Sequence, residues 1–333
     1  MKSKLNFMST AIIAVIAAFT FTGCKKELTL KEPGNLVPKT VTEDPALPAI
    51  SVNGTKLHSE TFGNPDSPMV VVLHGGPGTD YRSMLNCKGL ADDGYFVVFY
   101  DQRGCGLSQR HDKNTYSLQL MLDDLTAVIS RYRKSPVQQI FLLGQSWGAM
   151  LATAYVNAYP AAIRGVVLAE PGGFTWQETK DYISRTRKLS PFTEDTNDQF
   201  YFDQVLTGNK NDHTVLDYKM AIAAAFDSRE GNALGNAGAY PFWRFGAVTQ
   251  AALFEIANRD GFNWTTHLGQ FTTKILFCYS ELNKAYGPEH AGLVSSAYPN
   301  VQLERINGSG HEIPYFGWNN FHPLVKNYLD SFK

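Results

Sequence analysis

The sequence is poor in cysteine and carries almost no net charge. Four cysteines occur among its 333 residues, and its charged side chains sum to −1. A chain this close to neutral lacks the excess of positive charge that attracts nucleic acid, so we expect no nucleic-acid partner. The length and the 44% of hydrophobic residues supply a core that needs no cross-links. We therefore expect Cys87, Cys105 and Cys278 to be free, buried thiols.

Recognisable metal and cofactor motifs are missing as well. His311-Glu312 begins like the zinc motif H-E-x-x-H, but Tyr315 occupies the position of the second histidine. The sequence accordingly predicts a protein without a metal site and without a cofactor.

A long hydrophobic run is also lacking. The apolar stretch over residues 11–21 follows Lys2 and Lys4. It is shorter than the roughly 20 apolar residues that a membrane-spanning helix needs. A basic start followed by a short apolar stretch is typical of an export signal. We predict a signal peptide over residues 1–23.

The end of this signal, Phe21-Thr22-Gly23-Cys24, resembles a bacterial lipobox, in which the cysteine becomes the lipidated first residue. Phenylalanine stands where leucine is usual, and the alternatives are ordinary cleavage near Gly23 or an uncleaved anchor. We predict a lipoprotein with a lipidated Cys24 and a flexible, proline-containing tether over residues 24–49. Such a protein is exported and held at a bacterial membrane by its lipid.

Short apolar runs then alternate with helix-like segments. Such runs, each typical of a strand buried on both faces, occupy residues 68–73, 95–100, 140–143, 166–169, 274–279 and 301–306. The alternation predicts right-handed βαβ units and an α/β fold with a mostly parallel sheet flanked by helices. Residues 174–268 lack such runs, so we predict a core of residues 50–171 plus 269–333 and an inserted, mainly helical cap over residues 172–268.

One of these predicted strands runs directly into the motif Gly144-Gln145-Ser146-Trp147-Gly148. G-x-S-x-G is typical of the nucleophile elbow of α/β-hydrolases, a strained turn that lifts one serine to the top of the sheet. Glycine is needed on both sides, because a Cβ there would crowd the neighbouring strand or helix. The motif alone is short enough to occur by chance. Its flanking strand and helix support the prediction that Ser146 is a nucleophile.

A serine nucleophile requires a base and hydrogen-bond donors for the oxyanion. Of the eight histidines, His311 alone lies in the glycine-rich loop after the last predicted strand, and we predict it to be the base. The segment HGGPG (residues 74–78) follows the first of the buried strands. In an α/β-hydrolase this loop supplies one oxyanion N–H, predicted at Gly76 with Gly75 as the alternative, and Trp147 supplies the other.

Three motifs in this order resemble the proline iminopeptidase family of α/β-hydrolases: HGGPG, DQRGCG (residues 101–106) and GQSWGAMLATAY (residues 144–155). The resemblance covers residues 50–171 and the closing segment GSGHEIP (residues 308–314). It implies an α/β-hydrolase with a Ser-His-acid triad that removes N-terminal residues, often proline, from short peptides. It also implies that acidic residues of the cap hold the free α-amino group of the substrate.

The triad acid departs from the pattern of this family. The usual Gly-x-x-Asp after the penultimate strand is Ser280-Glu281-Leu282-Asn283 here, so an amide occupies the acid position. A neutral amide cannot stabilise an imidazolium as a carboxylate does. We predict that Glu170, which follows the strand at 166–169, is the acid. The alternatives are Glu281 and a triad impaired at Asn283.

The cap is predicted to contain the substrate-binding residues. A carboxylate that faces the substrate would pair with an α-ammonium group, and the candidates are Glu178, Glu194, Asp195, Asp227 and Glu230. We also predict substrate contacts at Trp243, at Tyr315 and at Arg244, which suits a substrate carboxylate. Asp101 and Arg103, in contrast, are predicted to be a buried structural pair.

The sequence thus predicts a serine hydrolase that acts through an acyl-enzyme on a small peptide or ester. The first hypothesis is an exported aminopeptidase that releases N-terminal, proline-type residues from short peptides. An esterase or lactonase on the same fold is the first alternative. A non-catalytic surface lipoprotein is the second, although intact Ser146 and His311 argue against it.

Overall fold

The computed structural model describes residues 37–189, 212–227 and 233–333. The predicted signal peptide and the lipidation site Cys24 lie outside these residues. Within them, no helix combines the length and the apolar character that a membrane crossing requires.

Eight strands form one sheet in the order β1-β2-β4-β3-β5-β6-β7-β8. Their bounds are β1 Ala49–Val52, β2 Thr55–Phe62, β3 Met69–Leu73, β4 Phe96–Tyr100, β5 Ile140–Gln145, β6 Gly165–Ala169, β7 Ile275–Ser280 and β8 Val301–Ile306. Strands β1 and β2 pair antiparallel, and β3 to β8 run parallel. The predicted mostly parallel sheet is therefore confirmed.

Strands β3 to β6 lie in the interior, and every one of their residues is buried. Alternate side chains of β3 enter two different clusters: Val71 and Leu73 contribute to one, Val70 and Val72 to the other. Because neighbouring side chains of a strand point to opposite faces, each face of the sheet has its own core. This explains why the strands are continuous apolar runs rather than alternating patterns.

The described residues form α-helices, several of which pack on the sheet. Their bounds are α1 Leu118–Tyr132, α2 Trp147–Ala158, α3 Trp176–Leu189, α4 His213–Asp227, α5 Ala247–Asp260, α6 Gly287–Ser295, α7 Ile313–Phe316 and α8 Trp318–Asp330. A 3-10 helix also follows β3, at Tyr81–Ala91. Helices α3, α4 and α5 lie between β6 and β7, inside the segment predicted as a helical cap. Cys87, Cys105 and Cys278 are buried and free, as predicted.

The turn from β5 to α2 shows why the sequence needs its two glycines. Ser146 has a φ of 53°, a strained conformation for a residue with a side chain. A Cβ on Gly144 would overlap the backbone of Gly148, and a Cβ on Gly148 would overlap the carbonyl group of Leu73 on β3. The turn is also tied to β6, since the Ser146 N–H donates to the Ala169 carbonyl at 2.8 Å.

The tether prediction is wrong for residues 38–48, which pack on the fold. Val41 is buried, and its N–H donates to the carbonyl of Leu107 at 2.8 Å. Arg244 donates to the carbonyl of Pro38 at 3.0 Å and approaches Glu43 at 3.3 Å. These partners are distant in sequence, so the proline-containing composition of the segment gave no sign of them.

We expect Gly148→Ala to lower the free energy of unfolding by about 2–3 kcal/mol or more, because the new methyl group must displace strand β3. Gly292→Ala is the matched control: it lies within α6, and no atom would lie within 4 Å of the new Cβ. This control should gain about 0.5–1 kcal/mol of helix propensity. Denaturant titration of both variants is the measurement, and a wild-type midpoint for Gly148→Ala would contradict the packing argument.

Candidate active site

Ser146 stands at the junction of β5 and α2, on the wall of a cavity of about 90 Å³. The strained turn holds its side chain away from both elements. Gly76 and Trp147, the two predicted oxyanion residues, line the same cavity. The structure therefore brings together three predicted residues that come from two separate loops.

Glu170 follows β6 directly, with a φ of 46°, and is completely buried. Its Oε2 atom lies 2.7 Å from Nδ1 of His311. The predicted acid and the predicted base are thus hydrogen-bonded. Because Nδ1 is engaged by Glu170, Nε2 is the ring nitrogen left to accept a proton from Ser146.

The other carboxylate oxygen of Glu170 is fixed by β7. Oε1 accepts hydrogen bonds from the N–H of Ser280 at 2.6 Å and from its hydroxyl at 2.5 Å. Asn283 donates its side-chain amide to Oε2 at 2.9 Å. Asn283, which occupies the usual acid position, is therefore a donor to the acid that replaces it.

Glu281, the alternative acid, lies apart from His311. Its carboxylate accepts from the N–H of Gly308 at 2.9 Å and lies 3.7 Å from Arg305 at a partly exposed position. Of the two candidate carboxylates, Glu170 alone is bonded to the imidazole.

The main chain of His311 is hydrogen-bonded to the segment before α5 and to the last residue of β5. Its N–H donates to the carbonyl of Leu234, and its carbonyl accepts from the amide of Gln145, the residue before Ser146. Burial lowers the pKa of His311, but the hydrogen bond and the negative charge of Glu170 outweigh burial. The pKa of His311 is raised above its ordinary value, as expected for an imidazole that must carry a proton during reaction.

The predicted oxyanion donors, the backbone N–H groups of Gly76 and Trp147, have no hydrogen-bond acceptor in the part of the chain that the structure describes. Trp147 is the first residue of α2, where the helix leaves its N–H groups free. Gly76 has a φ of 119°, and a Cβ there would overlap the N–H of Gly78. Gly76 lines the cavity, and its neighbour Gly75 does not.

The oxyanion loop is braced by buried polar side chains. The Nε2 atom of His74 accepts from the N–H of Gln102 at 2.9 Å, so Nδ1 carries the proton and donates to the carbonyl of Gly75. Burial keeps the pKa of His74 below its ordinary value. Gln102 also accepts from the indole N–H of Trp147 at 2.8 Å. The loop and the elbow are thereby linked.

Asp101 and Arg103 are structural, but they do not pair with each other as predicted. Asp101 lies 2.8 Å from Nδ1 of His58, and Arg103 forms a two-pronged ion pair with Asp124. Because Asp101 and Arg103 are only two residues apart, the sequence suggested that they pair. It could not reveal that their partners, His58 and Asp124, are distant in the chain.

The cavity beside Ser146 is apolar. Besides the residues already named, its walls are formed by Pro77, Met150, Gly172, Trp176, Thr179, Tyr182, Ile183, Leu253, Phe254, Ala257 and Phe262. Most of these side chains come from α3 and α5. None of the described lining residues is charged, so the cavity favours an uncharged group of the substrate.

Glu178 and Arg244 were predicted to contact substrate, and the structure places both elsewhere. Glu178 accepts the N–H groups of Phe174 and Thr175 and caps the start of α3. Arg244 is buried and donates to Asp217 at 2.8 Å. Both charges serve the structure of the cap, because unpaired backbone donors and a buried carboxylate required them.

Trp243 and Tyr315 are also absent from the described cavity wall. Trp243 packs edge-on against Tyr81 and His58, and Tyr315 packs on Phe316 while remaining partly exposed. Both were predicted to contact substrate because they are aromatic. Each instead contacts aromatic side chains that do not line the cavity. Of the remaining acidic candidates, Glu194, Asp195, Glu230 and the side chain of Asp227 lie outside the described residues.

Sequence reasoning missed several residues of the site. Tyr182 and Ser280 lie close to Glu170. Only Ser280 could have been noticed in the sequence, because it occupies the glycine position of the Gly-x-x-Asp pattern. Glu312 is buried beside His311, and its burial raises its pKa to about 7. Across the described ranges, no set of three or more histidine, cysteine or acidic residues is arranged to hold a metal ion.

Comparison with known proteins shows the family of this chain. The α/β-hydrolase fold family matches residues 68–317 of the chain. This protein belongs to the α/β-hydrolase family. The hydrolase is 26% identical over 280 residues to the proline iminopeptidase of Heyndrickxia coagulans, an alignment that covers 80% of this chain and 92% of that enzyme. The resemblance to proline iminopeptidases that the motifs indicated is confirmed.

Solved structures show the same fold. The proline iminopeptidase of Mycobacterium smegmatis superposes with a TM-score of 0.57 at 17% identity, covering 85% of the hydrolase and 97% of that chain. Est816, described as an N-acyl homoserine lactone degrading enzyme, superposes with a TM-score of 0.55 at 18% identity, covering 84% and 99%. Peptidase and lactonase relatives therefore share this architecture.

We expect Glu170→Gln to lower kcat by about 10⁴ with little change in KM, because an amide does not stabilise the imidazolium. Glu281→Gln is the matched control and should keep wild-type activity, since its carboxylate bonds to Gly308 instead. The measurement is the rate of Ser146 labelling by a fluorophosphonate probe together with turnover of a nitrophenyl ester. Loss of activity in Glu281→Gln with retention in Glu170→Gln would reverse the assignment.

The raised pKa of Glu312 predicts a pH-dependent stability. A carboxyl group whose pKa is higher in the folded state contributes stability below its unfolded pKa of 4.5 and loses it as the pH rises through about 7. Glu312→Gln removes this loss, so its stability relative to wild type should rise between pH 5 and pH 8 by up to about 3 kcal/mol. Denaturant midpoints at both pH values measure this. Parallel pH profiles for the two proteins would contradict it.

Proposed function

We propose that the hydrolase acts through a serine acyl-enzyme on substrates with a small acyl group, whose apolar part enters the cavity. The observation that supports this proposal is the 2.7 Å contact between Glu170 and His311 beside the cavity that Ser146 lines. The contact supplies the carboxylate that the usual position after β7 lacks. It also argues against an impaired triad, the alternative that the amide at Asn283 had suggested.

The first half of the reaction forms the acyl-enzyme. Ser146 Oγ attacks the substrate carbonyl carbon and passes its proton to Nε2 of His311. The N–H groups of Gly76 and Trp147 hold the resulting oxyanion, and Glu170 stabilises the imidazolium. His311 then donates its proton to the leaving amine or alcohol, the bond to the leaving group breaks, and the acyl group remains on Ser146.

The second half releases the acyl group. A water molecule gives a proton to His311 and attacks the acyl carbonyl. The oxyanion forms again in the same place, and collapse of this intermediate returns the proton to Ser146 Oγ. The products are a carboxylic acid and the free enzyme, with no cofactor required.

The preferred substrate is an N-terminal residue, of the proline type, in a short peptide. Similarity to a proline iminopeptidase along 80% of the chain supports this choice. The cavity of about 90 Å³ is far smaller than the roughly 300–1,000 Å³ of pockets for drug-sized ligands, so it suits a small ring. A carboxylic ester or lactone is the second candidate, supported by the lack of charge along the described cavity wall.

We also propose that the hydrolase is exported and anchored to a bacterial membrane through a lipid on Cys24. The proposal is supported by Lys2 and Lys4, by the short apolar stretch that follows them and by the lipobox-like residues at the end of that stretch. Metabolic labelling with an alkynyl fatty acid, compared between wild type and Cys24→Ala, would test it.

Turnover of paired substrates with the same acyl group distinguishes the two substrate classes. We expect the kcat/KM for prolyl nitroanilide to exceed that for N-acetylprolyl nitroanilide by about 10² or more, because acetylation removes the free amine of an aminopeptidase substrate. Ser146→Ala should abolish both activities. Hydrolysis of nitrophenyl acetate without cleavage of either anilide would contradict the peptidase proposal and support the ester alternative.

A further inference from the structure

Asn283 is almost completely buried at the end of β7, and its side-chain amide makes three hydrogen bonds. Its oxygen accepts from the N–H of Ala285 at 3.2 Å. This bond fixes the amide orientation, because only the oxygen can accept. The NH₂ group must therefore face Glu170 at 2.9 Å and the hydroxyl of Tyr182 at 3.1 Å.

The contact with Glu170 falls on the oxygen that the base uses. Oε2 of Glu170 receives both the amide of Asn283 and Nδ1 of His311, while Ser280 binds Oε1. The acid extends sideways from the end of β6 toward β7 and has three rotatable side-chain bonds. Donors on both oxygens select one orientation of the carboxylate, and Asn283 supplies the donor nearest to the imidazole.

The contact with Tyr182 leads from the acid to the substrate cavity. Tyr182 lies on α3, lines the cavity and has its ring 6.2 Å from that of His311. It stacks on His290 and meets Tyr286 edge-on, so its ring is held by α6 and the residue before it. Asn283 therefore bridges a fixed wall of the cavity and the carboxylate of the triad.

We propose that Asn283 is a positioning residue for the reaction: it orients Glu170 toward His311 and couples that carboxylate to the cavity wall through Tyr182. The reaction it serves is the proposed acyl transfer, and the inference rests on that function. The residue does not touch the substrate carbonyl. Its effect is exerted through the direction and strength of the bond between Glu170 and His311.

Asn283→Leu tests the first part, because leucine is similar in size and removes the donor. We expect kcat/KM to fall about 10–100-fold, the usual effect of losing a group that orients a catalytic side chain. The ¹H NMR signal of the His311 Nδ1 proton, observed in the resting enzyme, should move upfield or exchange away. Asn157→Leu is the matched control: it removes a buried amide bonded to Thr266 and His267, remote from the triad, and should leave this signal unchanged.

Asn283→Asp keeps the shape and places a second carboxyl group beside Oε2 of Glu170, where the amide nitrogen lies at 2.9 Å. Two carboxyl groups this close titrate as a coupled pair, and the negative charge that the pair gains on full ionisation should raise the pKa of His311, so the acidic limb of the kcat/KM profile should move to higher pH by about one unit. A purely structural role for Asn283 would lower the melting temperature without moving this limb or the Nδ1 signal. That result would overturn the proposal.

A double-mutant cycle between Asn283→Leu and Tyr182→Phe tests the coupling to the cavity. The two variants interrupt the same hydrogen-bonded chain, so their effects on kcat/KM should be less than multiplicative by at least about threefold. Multiplicative effects would overturn the coupling. If wild type turns over no ester or anilide, the proposed function fails, yet the Nδ1 signal of Asn283→Leu still decides whether Asn283 positions the acid.

Discussion

The chemistry of this hydrolase depends on one buried hydrogen bond, the 2.7 Å contact between Glu170 and Nδ1 of His311. It fixes the tautomer of the base, raises the pKa of the imidazole against the effect of burial, and leaves Nε2 for Ser146. The surrounding polar groups preserve this contact: Ser280 and Asn283 hold the carboxylate from β7. The triad acid thus comes from one strand and its support comes from the next.

Two strained residues place these groups. Ser146 and Glu170 both have positive φ angles, at the ends of the neighbouring strands β5 and β6. Backbone strain of this kind persists only where surrounding contacts impose it. Here Ser146 donates to Ala169, and Glu170 donates to Cys278, so each turn is hydrogen-bonded to the adjacent strand. The parallel sheet therefore acts as the template that aligns the nucleophile with its acid.

The helices between β6 and β7 contribute shape more than charge to the site, within the described residues. Glu178 caps a helix and Arg244 pairs with Asp217, while the aromatic and aliphatic side chains of α3 and α5 form the cavity. A small apolar site agrees with a proline ring and with a short acyl ester alike. The preference between a proline ring and a short acyl ester depends on whether the enzyme binds a free α-amino group.

The sequence by itself indicated the sheet and the elbow that carries Ser146, because apolar runs and glycine requirements are local. It also indicated Glu170 as the acid from its position after a buried strand, with Glu281 and an impaired triad as alternatives. Tertiary structure decided the roles of Asn283 and Arg244, since hydrogen bonds between distant strands and loops have no local signature. For the same reason it decided that residues 38–48 pack on the fold, where composition had predicted a free tether.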